Sequence, residues 1–171
     1  PTLPSDHWTK IHEVGGGRIT GEAVHAIDLV SYITGSLPQS ISSTSVINKE
    51  HNKANEDQVA LTIIFGDGST ANISYFSEGS SLLPKEKIEV HGNQKSFIIE
   101  DFIKVRMLDN KNDKGKLVKS GKGHEELVRS FFEHIREMSA NEFTWKEIKI
   151  VNKAAIIAQE NINSGKFHSI F

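Results

Sequence analysis

The residues best able to do chemistry lie in one short run, Gly15-Gly16-Gly17-Arg18-Ile19-Thr20-Gly21-Glu22-Ala23-Val24-His25-Ala26-Ile27-Asp28. At 100° per residue, Glu22, His25 and Asp28 follow one another at i, i+3 and i+6 along one side of a helix. His25 falls at the border of that helix's apolar stripe, with Asp28 and Tyr32 further toward its polar side. An imidazole with carboxylates on both neighbouring turns is a candidate general acid or base for proton transfer. Four glycines in seven residues allow close backbone approach, and a helix start offers N–H groups that suit a phosphate or carboxylate, with Arg18 as a guanidinium fork. A tight corner needing positive φ angles, and a boundary histidine that merely satisfies a neighbour, fit the same residues. Both alternatives stay open on spacing alone.

Other chemistries find less support. Glu22-Ala-Val-His25 has the form of a Glu-x-x-His pair, but a di-iron site needs a second such pair and the chain has none, so no metal is expected. His7, His12, His51, His91, His134 and His168 are scattered without ligand spacing. His124 follows Gly121-Lys122-Gly123 at a predicted helix start, where a loop can present it to a ligand; a surface helix-start residue is the plainer account. Gly-x-Ser-x-Gly and Walker loops are absent, which removes the main support for a serine hydrolase or a nucleoside triphosphatase. Without cysteine there are no disulfides, thiolate metal sites or thiol nucleophiles.

The elements that must position these residues are readable from hydrophobic period and turn chemistry. Residues 1–14 carry two prolines and no periodicity, and read as an extended lead-in. A helix is predicted from about Glu22 to Thr34, stopped by Gly35 and Pro38. The period then changes to 2, predicting strands over 41–48 and 58–65, with Lys49 to Asp57 as a solvated connection. Gly66-Asp67-Gly68-Ser69 predicts a hairpin to 70–75, a Gly92-Asn93 corner joins 87–91 to 96–100, and 105–108 is expected to pair with 116–118. Helices return over 124–138, with an apolar stripe wide enough to lie on a sheet, and after the capping box Thr144-x-x-Glu147, ending at Gly165.

This order predicts an α+β domain: an open, mainly antiparallel sheet with helices packed on one face. Strand and helix do not alternate as a doubly wound nucleotide fold requires. At 171 residues the chain is expected to be a single domain with one real core. Twenty basic against twenty-two acidic residues, spread along the chain, leave no footprint for nucleic acid. No apolar run approaches a membrane span and no signal segment opens the chain, so a cytoplasmic location is expected. Pro1 is not an initiator residue, and the expectation is a piece cut from something longer.

The run GGGRITGEAVHAIDLVSYITGS closely resembles the opening of the C-terminal domain of the Gfo/Idh/MocA oxidoreductases, in which a glycine-rich segment leads into a helix carrying His-x-x-Asp. It is most similar to a branch linked to bacterial polysaccharide biosynthesis, some members of which are fused to a zinc-type alcohol dehydrogenase. FGDGSTANISYF, PKEKIEVHG and KGHEELVRSFFEHIRE add weaker echoes across nearly the whole chain. The resemblance implies the C-terminal substrate and oligomerisation domain of an NAD(P)-dependent dehydrogenase, acting on a sugar, sugar nucleotide or polyol. NAD or NADP would be held mainly by an N-terminal Rossmann domain of the same chain, with no cofactor-binding residue in this part. Proton transfer would be shared between a lysine of a Glu-Lys-Pro motif in that domain and His25. Glu22, Asp28, Arg18 and His124 would be substrate-binding, Arg18 reaching toward a uronate or nucleotide phosphate. Many family members carry an aspartate four residues before the histidine, where this chain has Gly21, and Glu22 is the nearest carboxylate. Family members associate through the sheet, so a homo-oligomer is implied. A non-catalytic binding or assembly module, dimerising through the same face, is the alternative.

Overall fold

The structure, a computed structural model, describes residues 7–8, 11–48, 53–80, 82–117, 123–137 and 144–171. Its contacts divide the chain into two compact units, Pro1–Gly79 with Glu142–Phe171, and Ser80–Asn141. The architecture is α+β with antiparallel sheets, as expected, but among the described residues the strands form two four-stranded sheets rather than one meander.

The first unit holds the glycine-rich run. A short helix α1 (His12–Gly15) ends the lead-in, where an extended segment is predicted. A π-helical turn, Ile19–Ala23, then runs into α2 (Val24–Thr34), so the helix begins a turn earlier than its apolar period suggests. Gly35 closes α2 at φ 64°, taking the left-handed conformation that ends many helices. Strands β1 (Pro38–Asn48), β2 (Lys53–Phe65) and β3 (Thr70–Phe76) follow, and the sheet order is β3-β2-β1-β8, with β8 (His168–Ser169) the final strand.

Alternation along these strands builds the core. Ile41, Val59, Leu61, Ile63, Phe65 and Ile73 point to one face, where Ile19, Ala23 and Ile27 meet them together with Val151, Ala154, Ala155 and Ala158 of α4 (Trp145–Glu160). The alanines let α4 lie close to the sheet, and the Ser43 hydroxyl donates to the Ala158 carbonyl at 2.6 Å across that contact. The capping box that starts α4 is formed, with the Thr144 side chain accepting from Glu147 N–H and the Glu147 carboxylate accepting from Thr144 N–H. That bond, and a second from the Thr144 hydroxyl, hold the Glu147 carboxyl below its ordinary range. The opposite sheet face carries Ser40, Ser42 and Thr44, then Ala60, Thr62 and Ile64, then Thr70, Asn72 and Ser74, registered strand to strand. No charged side chain lies among them.

The second unit contains β4 (Lys87–Gly92), β5 (Lys95–Glu100), β6 (Lys104–Asp109) and β7 (Asp113–Leu117), paired in that order. The β4–β5 turn sits at Asn93 and Gln94, both at positive φ, one residue beyond the predicted corner. Val105 pairs with Lys116 as predicted, while Val118 lies outside the described residues. Ile88, Val90, Phe97, Ile99, Val105 and Met107 share one face of this sheet. Helix α3 (His124–Glu137) belongs to the same unit, and its stripe of Leu127, Val128, Phe131, Phe132 and Ile135 is 50 to 60% exposed, where the sequence predicts a face lying on a sheet.

Candidate functional site

The glycine turn is held from three sides. Gly16 and Gly17 take φ values of 70° and 97°, a region that favours glycine. The Thr20 hydroxyl donates to the carbonyls of Gly16 and Gly17 at 2.7 and 3.2 Å, folding the turn back on the π-helical segment. From α4, the Gln159 side-chain oxygen accepts the Ile19 N–H at 3.0 Å, and a Cβ on Gly17 would stand 2.5 Å from that same oxygen. From β2, the Glu56 carboxylate accepts the Arg18 N–H at 3.0 Å. Within the segment, Val24 N–H reaches back five residues to Ile19 O, the π pattern that often appears as a single turn near functional sites.

The expected role of Arg18 as a fork for a substrate anion meets a different arrangement. Arg18 is 4% exposed. Its Nε stands 3.0 Å from Asp57 Oδ1 and its Nη1 3.8 Å from Glu22 Oε1, and Nη2 donates to the Tyr75 hydroxyl. The guanidinium carbon also lies 5.3 Å from the centroid of the Tyr75 ring. A buried cation needs a compensating charge, and Asp57, itself 7% exposed, provides it. Burial holds the Tyr75 hydroxyl above its ordinary range, against the opposing pull of the Arg18 charge.

The remaining predicted residues separate by place. His25 and Asp28 are both exposed, one turn apart on α2, and Glu22, whose side chain is 45% exposed, lies in the π-helical turn before them. His124 is exposed at the first position of α3 in the other unit. Sequence reasoning missed Glu56, Asp57, Tyr75 and Gln159. Glu56 and Asp57 sit in what reads as a polar connection, yet β2 begins at Lys53 and carries them inward toward the glycine turn. A cleft of about 560 Å³ opens beside the turn, between Gly15, Gly16 and Thr20 on one side and Ile156, Gln159 and Glu160 of α4 on the other, with Val14 at its rim. His25, Arg18 and Glu22 do not line it.

A dinucleotide does not fit this turn. Its fingerprint requires a strand before the glycines and open N–H groups after them, whereas α1 precedes and Glu56 and Gln159 already occupy the first two donors. Among the described residues no three His, Asp or Glu side chains gather as a metal site would need, and no helix is long and apolar enough to cross a membrane.

With this geometry in hand, the comparisons decide the family. The family model described as "Oxidoreductase family, C-terminal alpha/beta domain" (Gfo/Idh/MocA) matches residues 1–148. The chain belongs to this family. Its fold is shared with levoglucosan dehydrogenase in complex with NADH and levoglucosan (TM-score 0.80, 14% identity, 99% of this chain and 54% of that one). It is shared also with aldose-aldose oxidoreductase from Caulobacter crescentus complexed with glycerol (0.73, 14%, 98% and 52%) and with a super-repressor mutant of Gal80p from Saccharomyces cerevisiae (0.71, 14%, 92% and 51%). This chain therefore spans about half the length of the solved structures it matches. A comparison with curated proteins finds no match.

Proposed function

We propose that this chain is the substrate-binding and proton-transfer half of an NAD(P)-dependent dehydrogenase acting on a sugar, sugar nucleotide or polyol, with His25 as its acid/base. The observation that carries the reading is the placement of His25: exposed at the head of α2, directly after a π-helical turn that Arg18, Glu56 and Gln159 hold in place. A positioned imidazole of this kind takes the proton from a substrate hydroxyl as the carbon is oxidised, and returns it in the reverse direction. Glu22 and Asp28 flank it as acceptors for neighbouring hydroxyls. The nicotinamide, bound by an N-terminal Rossmann domain of the same chain, would supply the hydride acceptor. The sugar-acting neighbours support the substrate class, and the Gal80p likeness is the reason fold alone does not carry it. Membership of the polysaccharide-linked branch is part of the same reading, on the strength of the GGGR to His-x-x-Asp run.

The test is His25→Ala in the full-length protein, assayed by nicotinamide absorbance against aldoses, anhydro sugars and sugar nucleotides. Turnover is expected to fall about 10²- to 10⁴-fold with the fold intact. Normal turnover would remove His25 from the reaction. Residues 1–171 alone are expected to reduce no nicotinamide.

A second reading runs alongside the first. The uncharged outer face of the β3-β2-β1 sheet favours self-association, since a sheet face without charged side chains lacks the usual guard against packing on a copy of itself.

A further inference from the structure

Three buried residues line up along the start of α2. Ile19, Ala23 and Ile27 are 0, 1 and 0% exposed and belong to the same core. An ordinary helix does not give this at a spacing of four. Four α steps of about 100° overshoot a full turn by roughly 40°, so Ile19 and Ile27 would stand roughly 80° apart. The turn from Ile19 to Ala23 is π-helical, with Val24 N–H bonded five residues back to Ile19 O. A π turn advances roughly 80° per residue and falls short of a full turn over the same four steps, which cancels the drift. His25, two residues from both Ala23 and Ile27, projects from the opposite side of the helix, where it is exposed.

The π pattern depends on one residue held at both its polar groups. The Ile19 carbonyl takes Val24 N–H, and Gln159 Oε1 accepts the Ile19 N–H at 3.0 Å from a position 140 residues on. A continuing α-helix would give that N–H to the carbonyl four residues back, but Gly16 and Gly17, both at positive φ, break the ladder there.

We propose that Gln159 is a positioning residue for His25: its hold on Ile19 keeps the turn π-helical, and the π turn sets the side of α2 from which the imidazole projects. This deepens the proposed function and rests on reading His25 as the acid/base. Removing the acceptor leaves a buried N–H unmade, and rewinding the turn to the α pattern returns it to a backbone carbonyl. Ile19 and Ile27 then share the core only if the helix rolls by about half their divergence. At the roughly 5–6 Å radius of helix side chains, a roll of about 40° carries the imidazole about 4 Å. A misplacement of about 1 Å already costs on the order of 10²-fold in rate.

Scalar couplings across hydrogen bonds in ¹⁵N,¹³C-labelled 1–171 read the turn directly. In the unsubstituted chain they are expected from Val24 N–H to the Ile19 carbonyl and from Ile19 N–H to the Gln159 side-chain carbonyl. Absence of either overturns the proposal, whether or not any variant folds. In Gln159→Leu the Val24 coupling should pass to the Thr20 carbonyl, whereas Gln159→Glu, which keeps an acceptor oxygen, should retain the original one. In the full-length protein, Gln159→Leu should lower kcat at least about tenfold with KM within about threefold, and Gln159→Glu should recover kcat to within about threefold. A role in stability alone would leave kcat unchanged well below the melting temperature, and that result overturns the proposal. In a His25→Ala background Gln159→Leu should have no further effect, because it acts through the imidazole, and an equal loss there overturns the proposal too. The couplings need no turnover. An active His25→Ala variant would thus sink the role of His25 and leave the hold of Gln159 on its placement standing, while a Gln159→Leu chain that keeps the Val24–Ile19 bond would do the opposite.

Discussion

Replacing Gly17 by alanine strikes the support of the glycine turn at its tightest point. The residue sits at φ 97°, where a side chain is strained, and the added Cβ would lie 2.5 Å from Gln159 Oε1, 2.6 Å from its Cδ and 2.9 Å from its Nε2. Holding a non-glycine residue there costs about 1–3 kcal/mol. Gln159 must also move, and the bond it loses is the one that satisfies the N–H of Ile19, a residue with no solvent exposure. A buried donor left unmade costs about a further 1–3 kcal/mol. The sum, about 2–6 kcal/mol, is a large share of the roughly 5–15 kcal/mol that holds a typical domain folded.

Urea unfolding followed by circular dichroism measures this, with Gly21→Ala as the control. Gly21 has no positive φ, and a Cβ there meets only Gly15 O at 3.6 Å, an ordinary contact. That variant should be neutral or more stable by up to about 1 kcal/mol, because alanine restricts the unfolded chain more than glycine does. A cycle with Gln159→Ala separates the two costs: the hydrogen bond can be lost only once, so the double variant should fall short of additivity by about 1–3 kcal/mol. The reasoning fails if Gly17→Ala lies within about 0.5 kcal/mol of the unsubstituted chain, or if the cycle is additive.

Asp57→Asn leaves the Arg18 charge buried without its carboxylate and should cost about 3–5 kcal/mol in the same assay, while Arg18→Met with Asp57→Leu should cost clearly less; equal losses would mean the pair is not acting as a pair. Light scattering at high protein concentration should find a dimer that Thr62→Glu, at the centre of the uncharged sheet face, converts to monomer. A monomeric unsubstituted chain removes the assembly reading.

The hairpins were legible because their causes are local. Gly66-Asp67-Gly68-Ser69 carries its own turn, with Asp67 accepting from the Ser69 N–H and hydroxyl at 3.0 and 2.8 Å, bonds that hold its carboxyl below the ordinary range. The capping box of α4 is local in the same sense. What escaped was imposed from a distance. Lys53 to Asp57 has no strand pattern of its own, yet β1 pairs Asn48, Ile47 and Val46 with Lys53, Ala54 and Asn55 and draws the polar stretch into the ladder. The last residues carry no apolar period, and β8 exists because His168 and Ser169 pair with Ile41 and Ser40. The apolar stripe of α3 was read correctly as a stripe, but a helical period states only that a face is apolar and leaves open what covers it.

The same limit bears harder on the site. His25, Glu22 and Asp28 could be placed from spacing because helical neighbours are three and four residues apart. The residues that settle how the turn is used are Glu56, 38 positions from Arg18, and Gln159, 140 positions from Ile19, and neither separation has a periodic signature. A glycine turn followed by an arginine states only that donors are present at a helix start. Whether they face a ligand or the chain itself depends on which side chains the sheet and the last helix bring to them. Here both bring acceptors: a carboxylate to Arg18 N–H, an amide oxygen to Ile19 N–H, and Asp57 to the guanidinium. A motif that promised anion recognition has thus become the support on which α2 begins, and the histidine of the same run, His25, stands exposed as the second residue of that helix.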